Sequence, residues 1–112
     1  MIQPGDVVTT DFAGAKGIKR RPCIVVSTSL YHRNHRDVIV AVVTSQIASA
    51  TTPTDHILKD WGDAGLAVPS VVRLYLGTCL ASNVRAIGQL SKRDWEEVKA
   101  RLKLALAVDS GD

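Results

Sequence analysis

The sequence predicts an α+β domain, mainly β, built as a small, strongly bent sheet or barrel with one C-terminal helix. Two observations predict it. Short runs rich in β-branched residues, punctuated by Gly and Pro, fill most of the chain. Only near the end do apolar residues recur at helical spacing, and several strands followed by one helix is the pattern of a segregated α+β architecture. At 112 residues the whole chain, 1–112, reads as a single domain.

The elements follow in order. Pro4-Gly5-Asp6 marks a turn, and residues 7–12 read as a strand. Residues 13–21 read as a long Gly- and Lys-containing loop, a length that in compact domains often signals function. Pro22 opens the next strand, 23–27, since Pro is tolerated at a strand's first position. Residues 29–35 are a helical turn or a loop. Residues 38–43 (Val-Ile-Val-Ala-Val-Val) are continuously apolar, which predicts a strand over 37–44 covered on both faces. A polar loop over 45–53 leads to a short strand within 54–58, and 60–69 form a second loop with Gly62, Gly65 and Pro69 as breaks. Residues 71–80 and 83–89 read as further strands. Ser91-Lys92-Arg93-Asp94 has the form of an N-cap with an acid three residues on. Trp95, Val98, Leu102 and Leu106 then give the apolar stripe of a helix over 91–107.

Charge and cysteine usage narrow the setting. The net charge is +3, compatible with a phosphate-bearing partner, and its distribution says more than its sum. Lys16, Lys19, Arg20 and Arg21 form one cluster, Arg33 and Arg36 another. The lysines suit phosphate contact as well as they suit an ordinary charged loop. Cys23 and Cys79 lie in apolar runs and read as packed thiols. With no apolar leader segment and no membrane-length apolar run, the expectation is a soluble, cytoplasmic protein. His32, His35 and Asp37 lack a second cluster to complete a metal site, and His56 stands alone, so these read as surface residues and no metal or other cofactor is expected. Trp61 either caps the core or lines a groove; Trp95 belongs to the core or to a contact between copies. With aromatics at only 4%, a chain this short gains from pairing with a second copy.

Four stretches, in order, together resemble the MazF/PemK (Kid-like) family of toxin–antitoxin toxins. They are Pro4-Gly5-Asp6-Val7-Val8 with Asp11-Phe12; Arg20-Arg21-Pro22-Cys23-Ile24-Val25-Val26-Ser27; the apolar strand ending in Thr44-Ser45-Gln46; and Ala64-Gly65-Leu66, Pro69-Ser70-Val71-Val72-Arg73 and Ile87-Gly88-Gln89-Leu90-Ser91 before the helix. The resemblance implies an SH3-like barrel, a homodimer, metal-independent and sequence-selective cleavage of single-stranded RNA, and a small MazE/PemI-like antitoxin that blocks the RNA groove. The CcdB type shares the fold but poisons DNA gyrase and cleaves nothing, so fold alone does not decide the activity.

Such cleavage uses the RNA's own 2′-hydroxyl as nucleophile, and charge builds on the phosphoryl oxygens. A permanently charged, two-pronged guanidinium and a hydroxyl fixed at a strand end suit that need. The resemblance matches Arg21 and Thr44 to the family's catalytic Arg and Thr, with Gln46 beside them. It directs Lys16, Lys19, Arg20, Arg73 and Tyr75 to RNA binding, although Arg20 equally suits solvent. Tyr75 departs from the PemK branch, whose Val-Val-Arg-x-Asp run carries a carboxylate there. A phenol, with an ordinary pKa of about 10, is a poor base at neutral pH. The first loop also lacks the His that some relatives carry.

Overall fold

The computed structural model describes residues 1–14 and 17–108. Pro4 and Gly5 form the corner before β1 (Asp6–Gly14): the Asp6 N–H donates to the Gln3 carbonyl at 3.1 Å, and Gly5 takes φ +87°. β2 (Gly17–Val25) returns antiparallel to β1, from Gly14↔Gly17 through Thr10↔Arg21 to Val7↔Ile24. The stretch expected as a loop over 13–21 is therefore strand at 13–14 and again from Gly17 onward. Its outer half is exposed and highly charged, so it lacks the apolar alternation by which a strand is recognised. Pro22 accordingly lies within β2, opposite Thr9, rather than at its start. β2 pairs with the next strand only at Cys23, Ile24 and Val25, so pairing on that edge begins just past the residue that has no N–H to give.

α1 (Ser29–Asn34) is a short helix whose cap, Thr28, accepts from the Tyr31 N–H at 3.2 Å. β3 (Asp37–Thr44) is followed by a 3-10 turn at Ile47–Ser49, then β4 (His56–Ile57) and β5 (Val71–Leu80). A second 3-10 turn, Ala81–Asn83, precedes β6 (Arg85–Gln89) and α2 (Lys92–Ala105). The strands form one antiparallel sheet in the order β4-β5-β3-β2-β1-β6, curled into a half-barrel, as expected for a small bent sheet with a terminal helix. α2 ends at Ala105 rather than Ala107, where the Leu106 N–H closes onto the Leu102 carbonyl at 2.8 Å.

The sheet has an apolar cluster on each face. Val7, Ile24, Ala41, Val43, Val72 and Val98 belong to one, and Trp61, Trp95 and Leu102 pack against it half-buried. Val8, Cys23, Val25, Val38 and Val40 form the other, with Cys79 at its margin. Fully burying a side chain of this size contributes about 1.5–3 kcal/mol, so these clusters dominate the favourable side of folding. β3 feeds both clusters by alternation, although Ile39 and Val42 stay half-buried.

His56 is buried, not on the surface as its isolation in sequence suggested. Its Nε2 donates to Asp94 Oδ1 at 2.9 Å, and the same carboxylate accepts from the Lys59 and Asp60 N–H groups at 3.0 and 2.8 Å. Asp94 thus belongs to the start of α2 and also anchors the chain leaving β4. At the helix start its own N–H reaches the Ser91 cap at 3.3 Å.

Candidate functional site

Strand alternation decides what faces the groove. Cys23 and Val25 lie in the second cluster, so Arg21, two residues back along β2, shares their face; Val38 and Val40 likewise carry Val42 and Thr44. Across β3, Arg73 of β5 stands opposite Val42. The next register pair is Ala41↔Leu76, an irregular step that holds Leu74 and Tyr75. Leu74 packs on the first cluster, whereas Tyr75 is 63% exposed.

Arg21, Val42, Thr44, Gln46, Arg73 and Tyr75 together line a hollow of about 350 Å³. Five of these six are residues singled out in the sequence. Thr44 Oγ1 accepts from the Gln46 N–H at 3.2 Å, which fixes both where β3 ends. A neighbouring hollow of about 400 Å³ shares Arg21, Thr44 and Gln46 and extends past Lys19 and Arg20 toward Leu66 and Val68. The two form a continuous groove where β2 and β3 part.

Arg20 borders this groove, but its guanidinium is turned to β1. It donates to Thr9 Oγ1 at 3.0 Å and the Thr9 carbonyl at 3.2 Å, and pairs with Asp11 at 3.1 Å. Lys16 lies outside the described residues. Cys23 sits fully buried behind Arg21; burial, then the neighbouring Cys79, pushes its thiol up to about 12 against the pull of Arg21. It is a packed side chain and not a nucleophile.

Sequence reasoning missed the residues that hold Arg73. Its Nε lies 3.3 Å from Asp55 Oδ1, and its Nη1 donates to Ser49 Oγ at 3.3 Å. Its Cζ lies 4.9 Å from the centre of the Tyr75 ring. Burial alone would raise the Asp55 carboxyl. The Thr52 hydrogen bonds and the Arg73 charge outweigh burial and hold it below the usual carboxylate range. No local motif announces Asp55, which sits in a Thr- and Pro-rich loop.

Among the described residues no group of three or more His, Cys, Asp or Glu side chains is gathered as a metal site. His32 Nε2 faces Ser27 Oγ at 2.5 Å, while His35 stacks on Tyr31 with ring centres 4.2 Å apart, so the two histidines serve different contacts. No described helix is long and apolar enough to cross a membrane.

A curled antiparallel half-barrel sheet with a terminal helix and a groove bearing arginines at the β2–β3 divergence defines a small barrel-like β protein. The chain belongs to the family of PemK-like, MazF-like toxins of type II toxin–antitoxin systems, whose model matches residues 3–106. Solved structures share the fold. An endoribonuclease in complex with its cognate antitoxin, from a mycobacterial species, superposes with a TM-score of 0.79 at 18% identity, covering 98% of this chain and 99% of that one. MazF in a MazE–MazF complex from Deinococcus radiodurans gives 0.72 at 22% identity, covering 96% and 97%. A Mycobacterium tuberculosis MazF toxin gives 0.73 at 19%, covering 94% and 99%. No curated protein matches the chain by sequence.

Proposed function

We propose that this toxin is a metal-independent, sequence-selective endoribonuclease that cuts single-stranded RNA. The observation that carries the reading is the convergence of Arg21, Thr44, Gln46, Arg73 and Tyr75 on one hollow from β2, β3 and β5. In the reaction the 2′-oxygen forms a bond to phosphorus and the bond from phosphorus to the 5′-oxygen breaks. The 2′-oxygen loses its proton and the departing 5′-oxygen gains one, leaving a 2′,3′-cyclic phosphate and a 5′-hydroxyl. Arg21 grips the phosphoryl oxygens as their charge grows, and the Thr44 hydroxyl, fixed at its strand end, donates to the same group. Lys19 and Gln46 hold the strand on either side, with Arg73 and Tyr75 across the hollow; Lys16 supplies a further phosphate contact, and Arg20 stays tied to Thr9 and Asp11 at the border. Apart from Val42, the lining is cationic and amide- or hydroxyl-bearing, and among the described residues no carboxylate lines it to gather a divalent ion.

The working form is a cytoplasmic homodimer in which two copies build the RNA channel, silenced by a MazE/PemI-like antitoxin occupying that channel. The fold's likeness to toxins solved with antitoxins supports this. Digestion of a mixed-sequence RNA in excess EDTA, with end-mapping of the products, tests the chemistry. Cleavage only on addition of a divalent metal would overturn it. Sedimentation at micromolar concentration is expected to give roughly twice the chain mass; a monomer throughout would remove the shared channel.

A further inference from the structure

We infer that Tyr75 is a stacking platform for one unpaired base of the bound strand, and that Asp55 is the positioning residue that keeps the platform flat by anchoring Arg73. The inference rests on the RNA reading above and deepens it. Tyr75 is a large aromatic that is 63% exposed at a hollow it shares with Arg21, Val42 and Thr44. One face of its ring lies over the Arg73 guanidinium, 4.9 Å from Cζ to the ring centre. That face is covered, and the exposed remainder of the ring borders the groove.

Such a platform needs rigidity, because a ring free to swing loses in ordering what it gains in stacking. Here the layer beneath is braced by an ion pair and one hydrogen bond. Arg73 is only 20% exposed, its Nε lies 3.3 Å from Asp55, and its Nη1 donates to Ser49. Asp55 is 5% exposed and takes the Thr52 N–H on its other oxygen at 3.1 Å, so the anchor is itself tied to backbone. The result is a stack of carboxylate-held guanidinium, phenol ring and open groove. A cation under a ring draws electron density toward itself and leaves the far face suited to an electron-rich base. Every base offers a π-face, and purines offer most overlap. A bare phosphate has no such complement to Tyr75 and would seek the arginines instead.

The test uses two probes that the protein cannot cut: a 2′-O-methyl adenine decamer, and a decamer of the same 2′-O-methyl backbone with no bases. Affinities are measured at low salt for the parent, Tyr75→Phe, Tyr75→Leu and Asp55→Asn, each checked for a folded circular dichroism spectrum. The parent is expected to prefer the adenine probe. Tyr75→Phe keeps that preference, and Tyr75→Leu loses roughly fivefold to a hundredfold on the adenine probe alone. Asp55→Asn lowers the ratio of the two affinities, which a general loss of fold would not do selectively. Equal losses on both probes in Tyr75→Leu, or no loss on either, overturn the platform and leave the RNA reading standing. Failure of the parent to bind either probe overturns the platform, and digestion of the mixed-sequence RNA decides the RNA reading separately.

Discussion

The His56 imidazole and the Asp94 carboxylate meet at 2.9 Å inside the protein, joining β4 to the first turn of α2 across 38 positions of sequence. Burial alone would raise the Asp94 carboxyl, but the two backbone N–H groups of Lys59 and Asp60, and then His56, hold it below its ordinary value. A depressed carboxyl stabilises the fold above the unfolded-state value of about 4 and loses that contribution as pH falls through the folded value. Asp94→Asn is therefore expected to cost about 3 kcal/mol near neutrality. The gap to the parent should narrow as pH drops below about 4. Urea unfolding between neutral and acid pH measures it; a constant gap would place the stabilisation elsewhere.

Removing the guanidinium from the groove should silence the chemistry without unfolding the chain. Arg21→Ala is expected to slow RNA cleavage by about a hundredfold to a thousandfold, the usual loss for a group that meets charge in the transition state. Arg21→Lys should recover little, since an ammonium lacks the planar two-pronged grip. Thr44→Val deletes the hydroxyl at nearly constant shape and should slow cleavage less. Arg21→Ala cutting at the parental rate would break the assignment.

The two basic residues at positions 19 and 20 should behave differently in salt. Arg20 is committed to Thr9 and Asp11, whereas Lys19 is an exposed cation on the groove rim. Neutralising Lys19 together with Lys16 is expected to flatten the fall of RNA affinity with salt, by about one counterion per lost phosphate contact. Arg20→Gln should leave the slope nearly unchanged. A larger slope change in Arg20→Gln than in the lysine pair would reverse the roles.

Close backbone approach between the loop after β4 and β6 leaves no room for a side chain at Gly65 or Gly88. A Cβ built on Gly88 would sit 2.1 Å from the Ala64 carbonyl oxygen, while one on Gly77 meets nothing within 4 Å. Gly88→Ala is expected to cost about 3 kcal/mol or more, because backbone cannot yield as a side chain can. Gly77→Ala, in an open strand position, should gain about 0.5 kcal/mol. Thermal melts of the two variants separate the cases.

Where sequence and structure agree, one physical signal sufficed. Continuous apolar content marks β3, the spacing of Trp95, Val98 and Leu102 marks α2, and the ordered motifs bring Arg21 and Thr44 to the same hollow. Where they part, the signal is not local. Gly17–Arg21 is held as strand by pairing to β1, with too little burial to imprint a pattern. His56 looks solitary because its partner is contributed by a distant helix. Asp55 is one acid among several until the fold brings it beside Arg73.

The groove exists because two paired strands part company after Cys23, with Pro22 at the fork. Its width is therefore a property of main chain and not of the side chains that furnish it. Exchange of Tyr75, Gln46 or Lys19 would then alter what the groove presents to a ligand while the fork keeps its shape. The furniture can change one piece at a time while the room stays as built.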